Sequence, residues 1–268
     1  MSIKLCILDW AGTAVDFGCF APIHAFIKAF GIYGIVPTIE ETRKPMGMLK
    51  IDHIKAMLEM ERINQLWISL HKNKPTNEDI NNIYKVFEDA LFIDLDKYAT
   101  PIENVDTVVS QLKTDGIKIG STTGYTQQMM EVVREAASFQ GYTTEYLSTP
   151  DSTGAGRPDP SMIFDNMEHF SITDRNEVIK VGDTISDILE GYNAGVWCVG
   201  VIKGSSELGL SAEDYRQLKD SRINEIVRQN YIAAGADFVI EEINLLPALV
   251  KKINFLVESG EKPNGFKF

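Results

Sequence analysis

The chain has 268 residues, 44% of them hydrophobic, enough for one large globular domain with an insertion. Its formal net charge of −12 argues against nucleic acid or anionic membrane as a partner, because both reward basic surface, so a phosphate-type ligand must be met by local cations. Three scattered cysteines, Cys6, Cys19 and Cys198, make neither a disulfide framework nor a zinc site; with no signal-like start and no run near the ~18 apolar residues of a membrane span, a soluble cytoplasmic protein is expected.

The first predicted strand, residues 4–8, runs directly into Asp9-Trp10-Ala11-Gly12-Thr13. A strand closing on an acid and a small-residue turn presents a carboxylate and backbone amides at the carboxyl edge of a sheet, where open α/β sheets bind ligands. From about Cys19 to Tyr98, apolar residues recur at helical spacing, as in Ile51, Ile54 and Leu58 or Ile83, Val86, Phe87 and Ala90. This predicts an α-helical cap over 19–98, inserted into a core of 1–18 and 99–268 through linkers near 17–20 and 99–101 that suit a hinge. Further strands are predicted at 117–121, 178–181, 196–202 and 238–240, with helices at 101–115, 127–140 and 186–194 between them. Strands alternating with helices make an α/β fold, a parallel sheet covered by helices. Residues 223–268 are expected to complete the core with a helix, a short strand and a last helix at 244–258.

Four strand-end positions carry groups suited to phosphoryl transfer. Asp9 offers a nucleophile or metal ligand, and Thr123, in Ser121-Thr122-Thr123-Gly124-Tyr125, a hydroxyl after the second core strand. Arg157, in Gly156-Arg157-Pro158, can neutralise phosphoryl oxygens; Asp183, in Val181-Gly182-Asp183-Thr184, suits a hard cation such as Mg²⁺, with Asp187 four residues on along the next helix. Singly, each reads as a cap or a turn. In this order together they do not.

That order and context resemble the haloacid dehalogenase-like superfamily, whose Rossmann-like core uses an Asp nucleophile and Mg²⁺. Most phosphatase and mutase members carry an acid two residues after the nucleophile to protonate the leaving group; here that position is Ala11. The chain is similar instead to the phosphonatase branch, where Ala stands there because the leaving group is carbon. The likeness extends through Gly18-Cys19-Phe20, Lys44-Pro45-Met46-Gly47-Met48-Leu49-Lys50-Ile51-Asp52-His53, Ile119-Gly120-Ser121-Thr122-Thr123-Gly124-Tyr125-Thr126, Ala155-Gly156-Arg157-Pro158, Lys180-Val181-Gly182-Asp183-Thr184 and Gly204-Ser205-Ser206-Glu207-Leu208-Gly209-Leu210. It implies Mg²⁺-dependent hydrolysis of the P–C bond of phosphonoacetaldehyde, through a Schiff base on Lys50 and an aspartyl phosphate on Asp9. It also implies Mg²⁺ held by Asp9, the Ala11 carbonyl and Asp183, supported by Thr184 and Asp187. Arg157 and the loop amides near Gly12 and Thr13 would meet phosphoryl oxygens, with Thr123, Gly124 and Tyr125 positioning phosphate and substrate. Cys19 and Gly47 would lie near the substrate, and His53 with Met46 would shuttle protons at the imine. Asp159 and Ser161 stand where related sequences carry aromatic residues, a departure expected to alter Arg157's support or the cap contact.

Lys50 opens a helix predicted to run to about Met60, just after the breakers Pro45 and Gly47. A helix N-terminus and burial under a cap both disfavour an ammonium, so its pKa should fall and free the amine to attack an aldehyde. His53 and Met57 share its face, whereas Ile51, Ile54 and Leu58 point toward packing. On helical grounds alone Lys50 is a solvated lysine, His53 a satisfied histidine and Met46 core; the resemblance reverses the first. One rival reading is a phosphatase or mutase acting on a small phosphate ester, which leaves Ala11 and Lys50 without a purpose; another is a non-catalytic metal-binding scaffold. Trp67, Ile68 and Leu70 give the cap apolar surface for its own core or for a second copy, and the resemblance favours a homodimer through the caps.

Overall fold

A computed structural model of the protein describes residues 2–219 and 221–263. Strand β1 (Leu5–Leu8) is followed by helices α1 (Ala21–Ile32), α2 (Ile39–Arg43), α3 (Lys50–Glu59), α4 (Glu61–His71) and α5 (Asn77–Phe92), with a 3-10 turn at Leu95–Tyr98. The chain then alternates through α6 (Val105–Thr114), β2 (Lys118–Ser121), α7 (Gln127–Ser138), α8 (Pro150–Thr153), α9 (Ser161–His169), β3 (Val178–Gly182), α10 (Ile185–Ala194), β4 (Trp197–Val201), α11 (Ala212–Gln217), α12 (Arg222–Ala234), β5 (Phe238–Ile240) and α13 (Leu246–Glu258). Residues 264–268, part of the expected carboxyl-terminal completion of the core, lie outside the described residues. No helix of the described residues is long and apolar enough to cross a membrane.

The five strands form one parallel sheet in the order β2-β1-β3-β4-β5. Strands β1, β3 and β4 are buried along their whole length, as a parallel sheet covered on both faces requires. Leu8 pairs with Ser121 on one side and Val181 on the other, so Asp9, Thr122 and Gly182 leave the sheet at one level. The order reverses at β1, and the crevice outside the carboxyl ends there is where open α/β sheets bind ligands.

Helices form where apolar spacing and caps agree. In α5 a Thr76–Asp79 capping box starts the helix, and Ile83, Phe87 and Leu91 form its buried stripe. That stripe meets α1 through the Phe26 and Phe87 rings, 4.2 Å apart. In α10 a Thr184–Asp187 capping box opens the helix and left-handed Gly195 closes it. The helix predicted over 101–115 begins only at Val105, because the Ile102 N–H donates to the Ala14 carbonyl (2.8 Å) and ties that stretch to the β1 loop. Helices α8, α9 and α11 are additional to the sequence expectation. Trp67 is buried, Ile68 is half-buried and Leu70 is exposed, so the three do not act as one surface.

Candidate active site

At the carboxyl edge of the sheet, Asp9, Asp183 and Asp187 offer carboxylate oxygens that all lie within 4.8 Å of one another, and all three are buried. Asp183 is fixed by the Thr13 hydroxyl (3.0 Å) and the Ser206 N–H (2.7 Å). Gly12 makes this approach possible: its φ is +94°, and a Cβ there would fall 2.1 Å from an Asp183 oxygen. The Gly12 and Thr13 amides do not face a ligand, because they donate to the Val15 and Trp10 carbonyls within the loop (2.7 and 3.2 Å). The amides of Ala11 and Gly124, residues that line the neighbouring cavity, find no acceptor among the described residues, whereas that of Thr123 turns to Ser148 in the bridge beside β2.

Burial, and after it Asp187, holds Asp9 above the usual carboxylate range although Arg157 Nη1 pairs with it at 2.7 Å. Asp183 is pushed well up by burial and then by Asp9 and Asp187. For Asp187 the Arg157 and Lys180 charges outweigh burial and hold its pKa down. Asp9, Asp183, Asp187 and Glu190 thus crowd four carboxyl groups together, and among the described residues only Arg157 and Lys180 pair directly with them, neither reaching Asp183. A divalent cation matches that deficit, and hard carboxylate oxygens suit it. The residues present fit such an ion.

Above this cluster, Lys50 enters from the first turn of α3. It is 3% exposed, and its ammonium lies 5.1 Å from the centre of the Tyr125 ring with no hydrogen bond or ion pair to a described residue. Burial holds its pKa below the ordinary lysine value. Asp9, Ala11, Cys19, Met46, Gly47, Lys50, Thr123, Gly124, Tyr125, Arg157 and Thr184 line one cavity of about 20 Å³, room for little more than a water. His53, one turn from Lys50, does not line it. Its Nε2 lies 2.9 Å from the Thr42 carbonyl, which only accepts, so Nε2 carries the proton and Nδ1 is a bare acceptor without a partner. The ring stacks on Phe26 at 3.9 Å, and burial followed by Lys50 pushes its pKa well down, so the imidazole is neutral.

Residues 23–201 match the family described as haloacid dehalogenase-like hydrolase. The chain belongs to the haloacid dehalogenase-like hydrolases. It is 48% identical over 256 residues to a phosphonoacetaldehyde hydrolase of Bacillus cereus, covering 94% of this chain and 97% of that one, and 47% identical over the same length to one of Bacillus anthracis, with the same coverage. Its structure superposes with a TM-score of 0.95 and 35% identity on a phosphonoacetaldehyde hydrolase like protein from Oleispira antarctica, covering 98% and 96% of the two chains.

In this haloacid dehalogenase-like hydrolase Asp159 and Ser161 do not touch Arg157. The Ser161 N–H and hydroxyl both bond Asp159 Oδ1 at the exposed start of α9, which is a local cap. Arg157 is held by Thr122 and Glu190, each of which also meets Lys180, and sequence reasoning did not single out these three as site residues. The signal was present in Lys180, a charged residue in the middle of an otherwise apolar, doubly covered strand, which must be paired there.

Proposed function

We propose that this chain hydrolyses the P–C bond of phosphonoacetaldehyde to acetaldehyde and phosphate. The observation that carries the reading is Lys50, a buried amine without a counter-ion, facing the same small cavity as Asp9 while position 11 offers a methyl group and no acid. A phosphate ester needs a proton for its leaving oxygen; a carbon leaving group needs somewhere to put an electron pair. The Lys50 amine adds to the aldehyde carbon, water leaves, and a protonated imine results. Asp9 then attacks phosphorus, and the P–C electron pair moves into the iminium to give an enamine while phosphate is carried on Asp9. Protonation of the enamine carbon and hydrolysis of the imine release acetaldehyde and free Lys50; water cleaves the aspartyl phosphate.

Arg157 and the open amides of Ala11 and Gly124 would receive phosphoryl oxygens, with the Thr123 side chain beside them. The bare Nδ1 of His53, which lies outside the cavity, would serve proton movement at the imine through an ordered water beside Met46. Asp9, Asp183 and the Ala11 carbonyl would hold Mg²⁺, with Thr184 and Asp187 supporting them, and the ion supplies charge neutralisation at the phosphoryl group. Residues 19–98 act as a cap on a core of 1–18 and 99–268, and a cavity of about 20 Å³ requires that cap to open for substrate to enter. Exposed Ile32, Val36, Leu66 and Leu70, on α1, α4 and the turn after α1, favour a homodimer through the caps. Three buried, unpaired cysteines suit a reducing cytoplasm.

The test is borohydride trapping with phosphonoacetaldehyde, peptide mass spectrometry, and assays of both products with and without Mg²⁺. A reduced adduct on Lys50 with Mg²⁺-dependent release of phosphate and acetaldehyde is expected, and Lys50→Arg should abolish both. Near-normal turnover in Lys50→Arg would overturn the imine route. Hydrolysis of phosphate esters without an adduct would leave an ester phosphatase in its place.

A further inference from the structure

We infer that Glu190, acting with Thr122 and Lys180, is a positioning residue that aims Arg157 at the nucleophile; the inference rests on the reaction proposed above. The bonds converge on two oxygens, Glu190 Oε2 and the Thr122 hydroxyl. Glu190 Oε2 accepts from Arg157 Nε at 2.9 Å, from Lys180 Nζ at 3.2 Å and from the Thr122 hydroxyl at 3.1 Å. The Thr122 oxygen accepts in turn from Arg157 Nη2 and Lys180 Nζ, both at 2.8 Å. Glu190 and Thr122 are fully buried, and Lys180 and Arg157 nearly so.

A guanidinium has five N–H donors in a fixed plane. Nε is held by Glu190 and one Nη2 hydrogen by Thr122, so the plane cannot turn about the Cδ–Nε bond without breaking two charge-assisted or buried bonds. Nη1 is thereby set 2.7 Å from Asp9 and 2.9 Å from Asp187, as ion pairs with both carboxylates. One Nη2 hydrogen is left, on a residue that lines the cavity, for an incoming phosphoryl oxygen. Lys180 contributes charge: without it, Glu190 and Asp187 would both draw on Arg157 alone. Thr122 follows β2, Lys180 lies in β3 and Glu190 in α10, so the orientation of Arg157 is built into the sheet edge and not into its own loop. A positional error at a reacting group costs rate more than binding, which is why aim matters here.

This role separates from a merely structural one because imine formation at Lys50 does not use Arg157's aim, whereas phosphoryl transfer to Asp9 does. Glu190→Gln keeps an oxygen for Nε but removes the charge. In that variant the borohydride-trapped Lys50 adduct should form at the wild-type level while phosphate release falls by about ten-fold or more. In an Arg157→Lys background, which has no fork to aim, adding Glu190→Gln should cost nothing further. Additive losses, or adduct and phosphate release falling in step, would overturn the inference. Thr122→Val, which removes the second hold on the guanidinium, carries the same cycle should Glu190→Gln fail to fold by circular dichroism. Wild-type protein that hydrolyses phosphate esters but gives no adduct would overturn the substrate and not the aiming role, because the same double-mutant cycle run on ester hydrolysis still decides it.

Discussion

At the scale of single residues, the proposed imine chemistry turns on how far the interior disfavours charge on one amine. Burial is the largest influence on Lys50 and lowers its pKa; Cys19 and Asp9 oppose it, and Arg157 reinforces it. A nucleophilic amine reacts in its neutral form, so the rate of adduct formation should rise with pH through a midpoint below the 10.5 of an ordinary lysine. Removing the Asp9 charge with Asp9→Asn takes away one influence that raises the Lys50 pKa, and should move that rise to lower pH while phosphate release is lost. Trapping yield against pH in both proteins measures this; an amine that titrates as a free lysine would show that burial does not govern it. Asp9 and Asp183 were legible because each follows a strand in a short motif, and Arg157 through its Gly-Arg-Pro motif, although it lies in the loop between α8 and α9 and not at the strand end expected of it. Lys50 was legible only through resemblance, since a lysine in a first helical turn is ordinarily solvated. Glu190 and Lys180 were missed because pairing partners from β3 and α10 meet only once the sheet is assembled.

Among the elements, the loop between α2 and α3 does the joining. Arg43, at the end of α2, donates to the Gly18 carbonyl at 2.7 Å and to the Ser206 carbonyl at 3.2 Å, binding the helical insertion to its own linker and to the loop after β4. The loop's backbone lies directly on Gly124, where a Cβ would fall 2.7 Å from the Met48 carbonyl oxygen and 2.8 Å from that of Gly47. Backbone oxygens cannot give way as a flexible side chain can. Gly124→Ala should therefore fold, since the closed contact and not the β2 strand is affected, yet hold Lys50 away from Asp9 and reduce turnover by about ten-fold or more. Steady-state kinetics beside a melting curve would test it, and wild-type turnover would mean the contact is not made in the reacting state. Strands and long helices were legible to within a few residues because their apolar runs are unambiguous. Helix α6 began late because Ile102 takes a tertiary partner, and α8 and α11, four and six residues long, are too short for periodicity to speak.

For the molecule as a whole, the buried acid cluster sets a conflict between folding and function. Asp183 is held well above its ordinary pKa by burial and by Asp9 and Asp187. A carboxyl with a raised folded pKa stabilises the protein below its unfolded value of 3.8 and loses that contribution as pH rises through the folded value, so raising the pH weakens the fold as the cluster ionises. A divalent cation that binds only the folded state reverses this by mass action, by about 2.7 kcal/mol at a hundred times its Kd. Asp183→Asn keeps an acceptor for the Ser206 N–H and a partner for the Thr13 hydroxyl but removes the charge. In chelator it should therefore melt above the wild type, by a margin that widens as pH rises, and it should gain little when Mg²⁺ is restored. The wild type should show the opposite order, melting lower in chelator and higher with the ion. Thermal melts of both proteins across pH 5 to 8, with chelator and with Mg²⁺, decide between this and a purely structural acid. If Asp183→Asn melted below the wild type in chelator at every pH, the two hydrogen bonds would outweigh the repulsion, and the cluster would not be an ion site held open at the expense of stability.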